Sequence, residues 1–163
     1  MALLCHPREN LVADLTAAVS PDAPGSLLVV FRLGGFNEFM ARSGNTAVER
    51  LVDTVVAHIT AAIGPDGAFY RSRKDELCGI VSGRLDGVES ALFAAAASVN
   101  SDPVVRRTGI TIGYGTAVLP HEASDPVAAL TVADQRVIGF ADGQPLGRGS
   151  GGGFLPLGKL VAA

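Results

Sequence analysis

The sequence contains little of several residue types, and their scarcity argues against whole classes of protein. It has no tryptophan, two cysteines and three histidines in 163 residues. The two cysteines, Cys5 and Cys78, are too few for a disulfide framework and fit reduced thiols inside a cell. The histidines, His6, His58 and His121, have no second ligand at metal-binding spacing, so no metal site is predicted.

Charge is also scarce, and its sign is unfavourable for nucleic-acid binding. Charged residues make up 18% of the chain, and 16 acidic against 13 basic residues leave a net charge of -3. This argues against binding nucleic acid through bulk positive charge. Apolar runs such as residues 26–31 are too short to span a membrane, and residues 1–5 lack the features of a signal peptide. A soluble cytoplasmic domain is expected.

Apolar residues, in contrast, are abundant enough for a sizeable core. They make up 48% of the chain, and a domain of this length buries roughly 70% of the surface of its unfolded chain. One domain is expected over residues 1–145. Residues 146–163 form a glycine-rich linker and an apolar tail. The tail is expected to add an edge strand, to dock on a partner or to be disordered.

Hydrophobic spacing predicts helices that alternate with strands. The predicted helices cover residues 7–19, 46–63, 87–99 and 126–140, and the predicted strands cover residues 27–33, 68–71, 77–81 and 108–118. The strand over residues 27–33 is apolar without alternation, so both of its faces are expected to be covered at the centre of a sheet. The order predicts an α/β (α+β) sandwich with a mixed central sheet and helices packed on it.

The charged turn of the predicted hairpin is the most specific motif. Residues 72–77 read Ser-Arg-Lys-Asp-Glu-Leu. This segment resembles the signature turn of the GGDEF (diguanylate cyclase) family. Arg73 and Lys74 stand at the positions of the two glycines, and Asp75 and Glu76 stand for the acidic pair.

The resemblance extends over residues 3–145 with the motifs in the family's order. Residues 31–36, Phe-Arg-Leu-Gly-Gly-Phe, fall where the family's first strand ends in Asp-x-Asp-x-Phe. Residues 111–115, Thr-Ile-Gly-Tyr-Gly, resemble the strand Ser-Ile-Gly-Val-Ala, and residues 133–134 match the Ala-Asp of the last helix. The resemblance implies the palm-like fold of GGDEF and nucleotidyl cyclase domains, with a mixed central sheet of about five strands and a signature β-hairpin.

The resemblance also implies a chemistry whose metal ligands are missing here. In the family, two GTP molecules condense to cyclic di-GMP, and two carboxylates hold the divalent metals. The first carboxylate falls at Arg32, the neighbouring acidic position at Gly34, and the second carboxylate at Asp75. A guanidinium about 4 Å from Mg²⁺ repels it by roughly 8 kcal/mol at an effective dielectric constant near 20. We therefore expect no bound metal and no catalytic residue.

The positions that hold the nucleotide are altered as well. The family's guanine-reading Asn falls at Met40, which cannot hydrogen-bond a purine edge, and its partner Asp falls at Glu49. The two glycines of the turn let the backbone approach the nucleotide closely, whereas Arg73 and Lys74 put long side chains there.

The family's phosphate-binding and product-inhibition residues are also absent at the corresponding positions. The basic residues that hold the phosphates fall near Ala141 and Pro145, and the inhibition motif Arg-x-x-Asp would occupy Gly64 and Gly67. The vestigial active-site positions are therefore Arg32, Gly34, Met40, Glu49, Arg73, Lys74, Asp75 and Glu76.

These residues support three functional hypotheses. The leading hypothesis is a catalytically inactive GGDEF-like domain that acts as a regulatory or protein-interaction module in cyclic-di-GMP-type signalling. The second is a GTP sensor that binds without metal through Arg32, Glu49, Arg73 and Lys74, although the same charges fit a merely solvated turn. The third is a residual diguanylate cyclase that takes ligands from a partner chain.

The resemblance also sets the expected partners. It implies a protein partner or a fused sensory domain, a homodimer, and GTP or cyclic di-GMP as ligands. No cofactor, nucleic acid or membrane is expected as a partner.

Overall fold

A computed structural model describes residues 5–83, 85–138, 140–141 and 144–145. Its helices are α1 (Arg8–Ala18), α2 (Phe36–Ile63), α3 (Val88–Ser101), α4 (Pro103–Thr108) and α5 (Pro126–Gln135). Its strands are β1 (Ser26–Gly34), β2 (Gly67–Arg73), β3 (Glu76–Ser82), β4 (Thr111–Leu119), β5 (Phe140–Ala141) and β6 (Gln144–Pro145).

Strand β1 lies inside a four-stranded sheet of order β2-β3-β1-β4. Its Leu28 pairs with Ile80 of β3 on one side and with Ala117 of β4 on the other. Leu28 and Val29 are fully buried. The prediction that the apolar strand is central and covered on both faces is therefore confirmed.

Helices cover both faces of the sheet because consecutive side chains of a strand point to opposite sides. Val29 and Phe31 pack into the core formed with α2 and α3. Leu28 and Val30 pack into the core formed with α1 and α5. The prediction of an α+β domain with helices packed on a central sheet is confirmed.

The sheet differs from the prediction in strand number and direction. It has four strands where about five were expected, and each of its ladders is antiparallel where a mixed sheet was expected. Strands β1 and β2 do run in the same direction, because the helix α2 carries the chain back across the sheet. The hairpin strand β3 lies between them, so adjacent strands in the sheet are all antiparallel.

The helix predicted over residues 126–140 is too long. Helix α5 ends at Gln135. The chain then becomes extended, because the backbone of Ile138 exchanges two hydrogen bonds of 3.1 and 2.9 Å with Tyr114 of β4. Pairing with the edge of the sheet replaces the last helical turn. The two paired residues are 24 positions apart in sequence, so the spacing of nearby apolar residues does not predict this contact.

Two helical segments were not predicted. Helix α2 begins at Phe36 rather than residue 46, and it contains a kink at Gly44, where φ is 82° and ψ is 174°. The predicted start matches the segment after this kink. The short helix α4 begins after Asp102, whose carboxylate accepts a hydrogen bond of 2.8 Å from the N–H of Val104.

No helix among the described residues is long and apolar enough to cross a membrane. The predicted linker and tail, residues 146–163, lie outside the described residues.

Candidate functional site

The turn between β2 and β3 is closed by an arginine that precedes it. Arg71 donates to the backbone oxygens of Arg73 at 3.0 Å and of Lys74 at 2.8 Å. Its guanidinium also lies 3.4 Å from a carboxylate oxygen of Glu49 on α2. The hairpin tip is thus attached to the helix, and the carboxylate of Glu49 already has a cationic partner.

Arg32, near the end of β1, lies at the centre of an ion-pair cluster. It pairs in register with Glu76 of β3, and its guanidinium lies 3.8 Å from that carboxylate. It also forms an ion pair and hydrogen bond with Asp134 of α5. Glu76 is only 8% exposed, and its carboxylate accepts a further hydrogen bond of 2.8 Å from the hydroxyl of Ser72. A buried carboxylate needs such partners, and Arg32 supplies the positive charge.

Asp75 faces a different concavity at the start of α2. Its backbone oxygen accepts a 2.9 Å hydrogen bond from the N–H of Leu33. The concavity has a volume of about 260 Å³ and is lined by Leu33, Gly35, Phe36, Asn37, Glu38 and Asp75. A helix N-terminus attracts anions. Here the two carboxylates, Glu38 and Asp75, oppose that attraction.

Arg73 and Lys74 are exposed, and neither side chain has a partner among the described residues. Arg73 lines a cleft of about 130 Å³ between α1, the hairpin and α5, together with Arg8, Glu76 and Asp134. Arg8 is tied to the hairpin because it donates a 3.0 Å hydrogen bond to the backbone oxygen of Ser72. The hairpin tip therefore presents two free cations to solvent.

No protein-family model matches the chain, and none of the curated proteins matches it in sequence. Solved structures do match it. The GGDEF domain of DgcB from Caulobacter crescentus, in complex with c-di-GMP, is 20% identical, with a TM-score of 0.66 over 81% of this chain and 80% of that chain. The FimX GGDEF domain from Pseudomonas aeruginosa is 16% identical, with a TM-score of 0.65 over 80% of this chain and 85% of that chain.

The active GGEEF domain of a diguanylate cyclase from Vibrio cholerae is 15% identical. Its TM-score is 0.69 over 83% of this chain and 89% of that chain. The chain has the GGDEF fold. At these identities the likeness is one of fold, and the predicted fold is confirmed.

The GGDEF fold implies a divalent cation, and the residues present do not fit one. The guanidinium of Arg32, at the position that the resemblance assigns to the first ligand, forms ion pairs with both Glu76 and Asp134. Gly34, the neighbouring position, has no side-chain ligand, and a Cβ atom there would approach the hydroxyl oxygen of Thr111 to 2.8 Å. Within the described ranges, no group of three or more His, Cys, Asp or Glu side chains is placed to hold a metal ion.

The structure divides the predicted site residues into separate groups. Arg73 and Glu76 line one cleft, and Arg32 forms an ion pair with Glu76. Glu49 and the backbone of Lys74 both contact Arg71. The remaining positions lie apart from these contacts: Gly34 ends β1, Met40 packs against the core, and Asp75 lines the concavity at α2.

Sequence reasoning did not assign Ser72 and Asp134 to the site. Both bind the cluster directly, Ser72 through Glu76 and Asp134 through Arg32. Asp134 is 102 residues from Arg32 in sequence. Its match to the family's Ala-Asp pair was the one available signal, and that match does not indicate an ion pair with Arg32.

The environments of Cys78 and His58 are those of residues that stabilise the fold. Cys78 is fully buried, and this burial raises the pKa of its thiol to about 12. His58 of α2 bridges the hydroxyl of Ser98 at 2.7 Å and the carboxylate of Asp102 at 2.8 Å. The hydrogen bond from His58, followed by that from the N–H of Val104, lowers the pKa of Asp102. The histidine therefore cross-links α2, α3 and the start of α4.

Proposed function

We propose that this chain is a catalytically inactive GGDEF-fold domain that acts as a regulatory or protein-interaction module in cyclic-di-GMP-type signalling. The observation that carries the proposal is the ion pairing of Arg32 with Asp134 and Glu76. A guanidinium in that place excludes the metal that would activate a ribose hydroxyl and stabilise a triphosphate. The fold is retained, and its surface remains available for contacts with proteins.

Two further features support inactivity. Met40 offers no hydrogen bond to a purine edge, and it packs against the hydrophobic core instead of remaining free. Among its described lining residues, the concavity at the start of α2 has the carboxylates Glu38 and Asp75 and no basic side chain, so a triphosphate would be repelled there.

The direct test is synthesis of cyclic di-GMP by the purified chain. The protein is incubated with GTP and either Mg²⁺ or Mn²⁺, and the products are separated by liquid chromatography. We expect no cyclic di-GMP above the level of a protein-free control. The active Vibrio cholerae domain serves as the positive control under the same conditions. Synthesis of cyclic di-GMP by this chain would refute the proposal.

A metal-independent nucleotide sensor is the second candidate, because Arg73 and Lys74 are exposed and unpaired among the described residues. Guanidinium and ammonium groups are suited to phosphate oxygens. Two of the four predicted binding residues weigh against it, since Arg32 is paired with carboxylates and Glu49 is paired with Arg71.

Charge reversal of the hairpin tip separates the two candidates. GTP is titrated by calorimetry in EDTA into the wild type and the double variant Arg73→Glu, Lys74→Glu. An interaction module gives no heat with either protein, which is the result we expect. A sensor would bind in the wild type and lose at least about tenfold in affinity in the variant. Arg50→Glu, at an exposed position of α2, is the control for a general change in charge.

A further inference from the structure

Three polar side chains form a continuous chain of hydrogen bonds where α2, α3 and α4 meet. The hydroxyl of Ser98 on α3 lies 2.7 Å from Nδ1 of His58 on α2. Nε2 of the same ring lies 2.8 Å from a carboxylate oxygen of Asp102, the residue between α3 and α4. A serine, a histidine and an aspartate bonded in this order are the groups of an activated nucleophile. None of them belongs to the ion-pair cluster around Arg32, so their chemistry is independent of the proposed function.

The carboxylate of Asp102 is held in place by the backbone of α4. Its second oxygen accepts hydrogen bonds of 2.8 and 3.4 Å from the N–H groups of Val104 and Val105. The hydrogen bond from His58, followed by that from Val104, lowers the pKa of this carboxyl group. Asp102 is therefore ionised at neutral pH, and an ionised carboxylate only accepts hydrogen bonds.

The ionised Asp102 determines which nitrogen of the neutral imidazole carries the proton. Nε2 donates to the carboxylate, so Nδ1 has the free lone pair and accepts the hydroxyl proton of Ser98. Thr54 and Thr131, in contrast, donate their hydroxyls to the carbonyl oxygens four residues earlier in their own helices, at 3.0 and 2.8 Å. Of these three helical hydroxyls, that of Ser98 is the one directed at a base.

The surroundings of Ser98 restrict the class of substrate. Ser98 is exposed, and the side chain of His58 is 27% exposed, so a compound in solvent can reach both. The backbone N–H of Ser98 lies within α3 and is used by the hydrogen bonds of that helix, so it does not stabilise an oxyanion. The reaction therefore requires a substrate that already has a good leaving group. Activated acyl compounds, such as aryl esters and thioesters, meet this requirement.

We propose that Ser98 is a nucleophile that takes the acyl group from activated acyl compounds. Its Oγ attacks the acyl carbonyl carbon, and Nδ1 of His58 accepts the hydroxyl proton while Asp102 stabilises the imidazolium that forms. The bond to the leaving group then breaks. The leaving group departs with the electron pair of that bond and receives the proton from His58. The products are O-acylserine, the protonated leaving group and a neutral histidine.

Acetylation of the whole chain by p-nitrophenyl acetate tests the proposal. Peptide mass spectrometry after short exposures at neutral pH measures the rate at each serine. Ser90 and Ser101 are the internal controls, because they are exposed on the same helix and have no hydrogen bond to a histidine among the described residues. Ser98 is expected to react at least about tenfold faster than either, since general base catalysis contributes about 10²–10⁴-fold. Equal rates at the three serines would overturn the proposal.

His58→Gln tests the base. Glutamine can still hydrogen-bond its neighbours, but it does not accept the proton. Acetylation of Ser98 is expected to fall to the rate at Ser101, while the rates at Ser90 and Ser101 stay the same and show that the helix is retained. His121→Gln, at an exposed position, is the control for the loss of a histidine and is expected to leave Ser98 as reactive as in the wild type. An unchanged rate at Ser98 in His58→Gln would show that the histidine does not activate it.

Discussion

Replacement of Arg32 with aspartate is expected to lower the melting temperature by roughly 4–8 °C in the absence of divalent cations. The substitution removes the positive charge shared by Glu76 and Asp134 and puts a third carboxylate beside them. Two charges about 4 Å apart interact by about 4 kcal/mol at an effective dielectric constant of 20. Because the side chain of Arg32 is 42% exposed, screening reduces this figure, and we expect a net loss of about 2 kcal/mol.

Divalent cations provide the second half of this experiment. The variant carries a carboxylate at the implied first metal position, beside two others. Millimolar Mg²⁺ or Mn²⁺ is therefore expected to raise the melting temperature of Arg32→Asp and to leave that of the wild type unchanged. Thermal unfolding followed by circular dichroism measures both effects.

Arg32→Gln is the matched control for this substitution. It removes the ion pairs without adding a negative charge, so we expect a smaller loss of stability and no response to metal. Stabilisation of the wild type by Mg²⁺ would contradict the assignment of Arg32 as the group that excludes the metal. An Arg32→Asp protein as stable as the wild type would show that the three side chains do not depend on one another.

Gly115→Ala is expected to lower the free energy of unfolding by about 3 kcal/mol. A Cβ atom at this position would overlap the backbone oxygen of Ala133 and approach the backbone nitrogen of Val137 to 2.6 Å. Both atoms belong to the end of α5 and the chain after it, so relief requires the backbone to move away from β4. For a domain of this size, the loss corresponds to a fall of roughly 6–12 °C in melting temperature.

Gly25→Ala is the control, because a Cβ atom at Gly25 meets nothing within 4 Å. Urea titration of both variants measures the difference. The family strand that residues 111–115 resemble ends in alanine, so the experiment tests whether α5 lies closer to the sheet here than alanine would allow. Equal stability of Gly115→Ala and the wild type would mean that it does not.

Much of the fold could be predicted from local sequence features. The apolar run at residues 27–31 placed β1 at the centre of the sheet, since consecutive apolar residues are typical of a strand that is covered on both faces. The charged turn between two short apolar segments marked the hairpin. These signals act over a few residues, so they can be read without the tertiary structure.

The secondary-structure and sheet predictions failed where contacts between residues distant in sequence outweigh the conformation that local hydrophobic spacing favours. Ile138 pairs with Tyr114, and this ends the last helix five residues earlier than its composition indicated. The strand β3 inserts between β1 and β2 and makes the ladders antiparallel.

By itself, the sequence determined the element order, the hairpin, and the presence of a cation where the resemblance implies a metal ligand. Only the tertiary structure decided what that cation does. Arg32 meets Asp134 across 102 residues and Glu76 across a strand pair. Residue type and spacing determine local conformation, whereas the partner of a charge or hydroxyl depends on which elements fold against it.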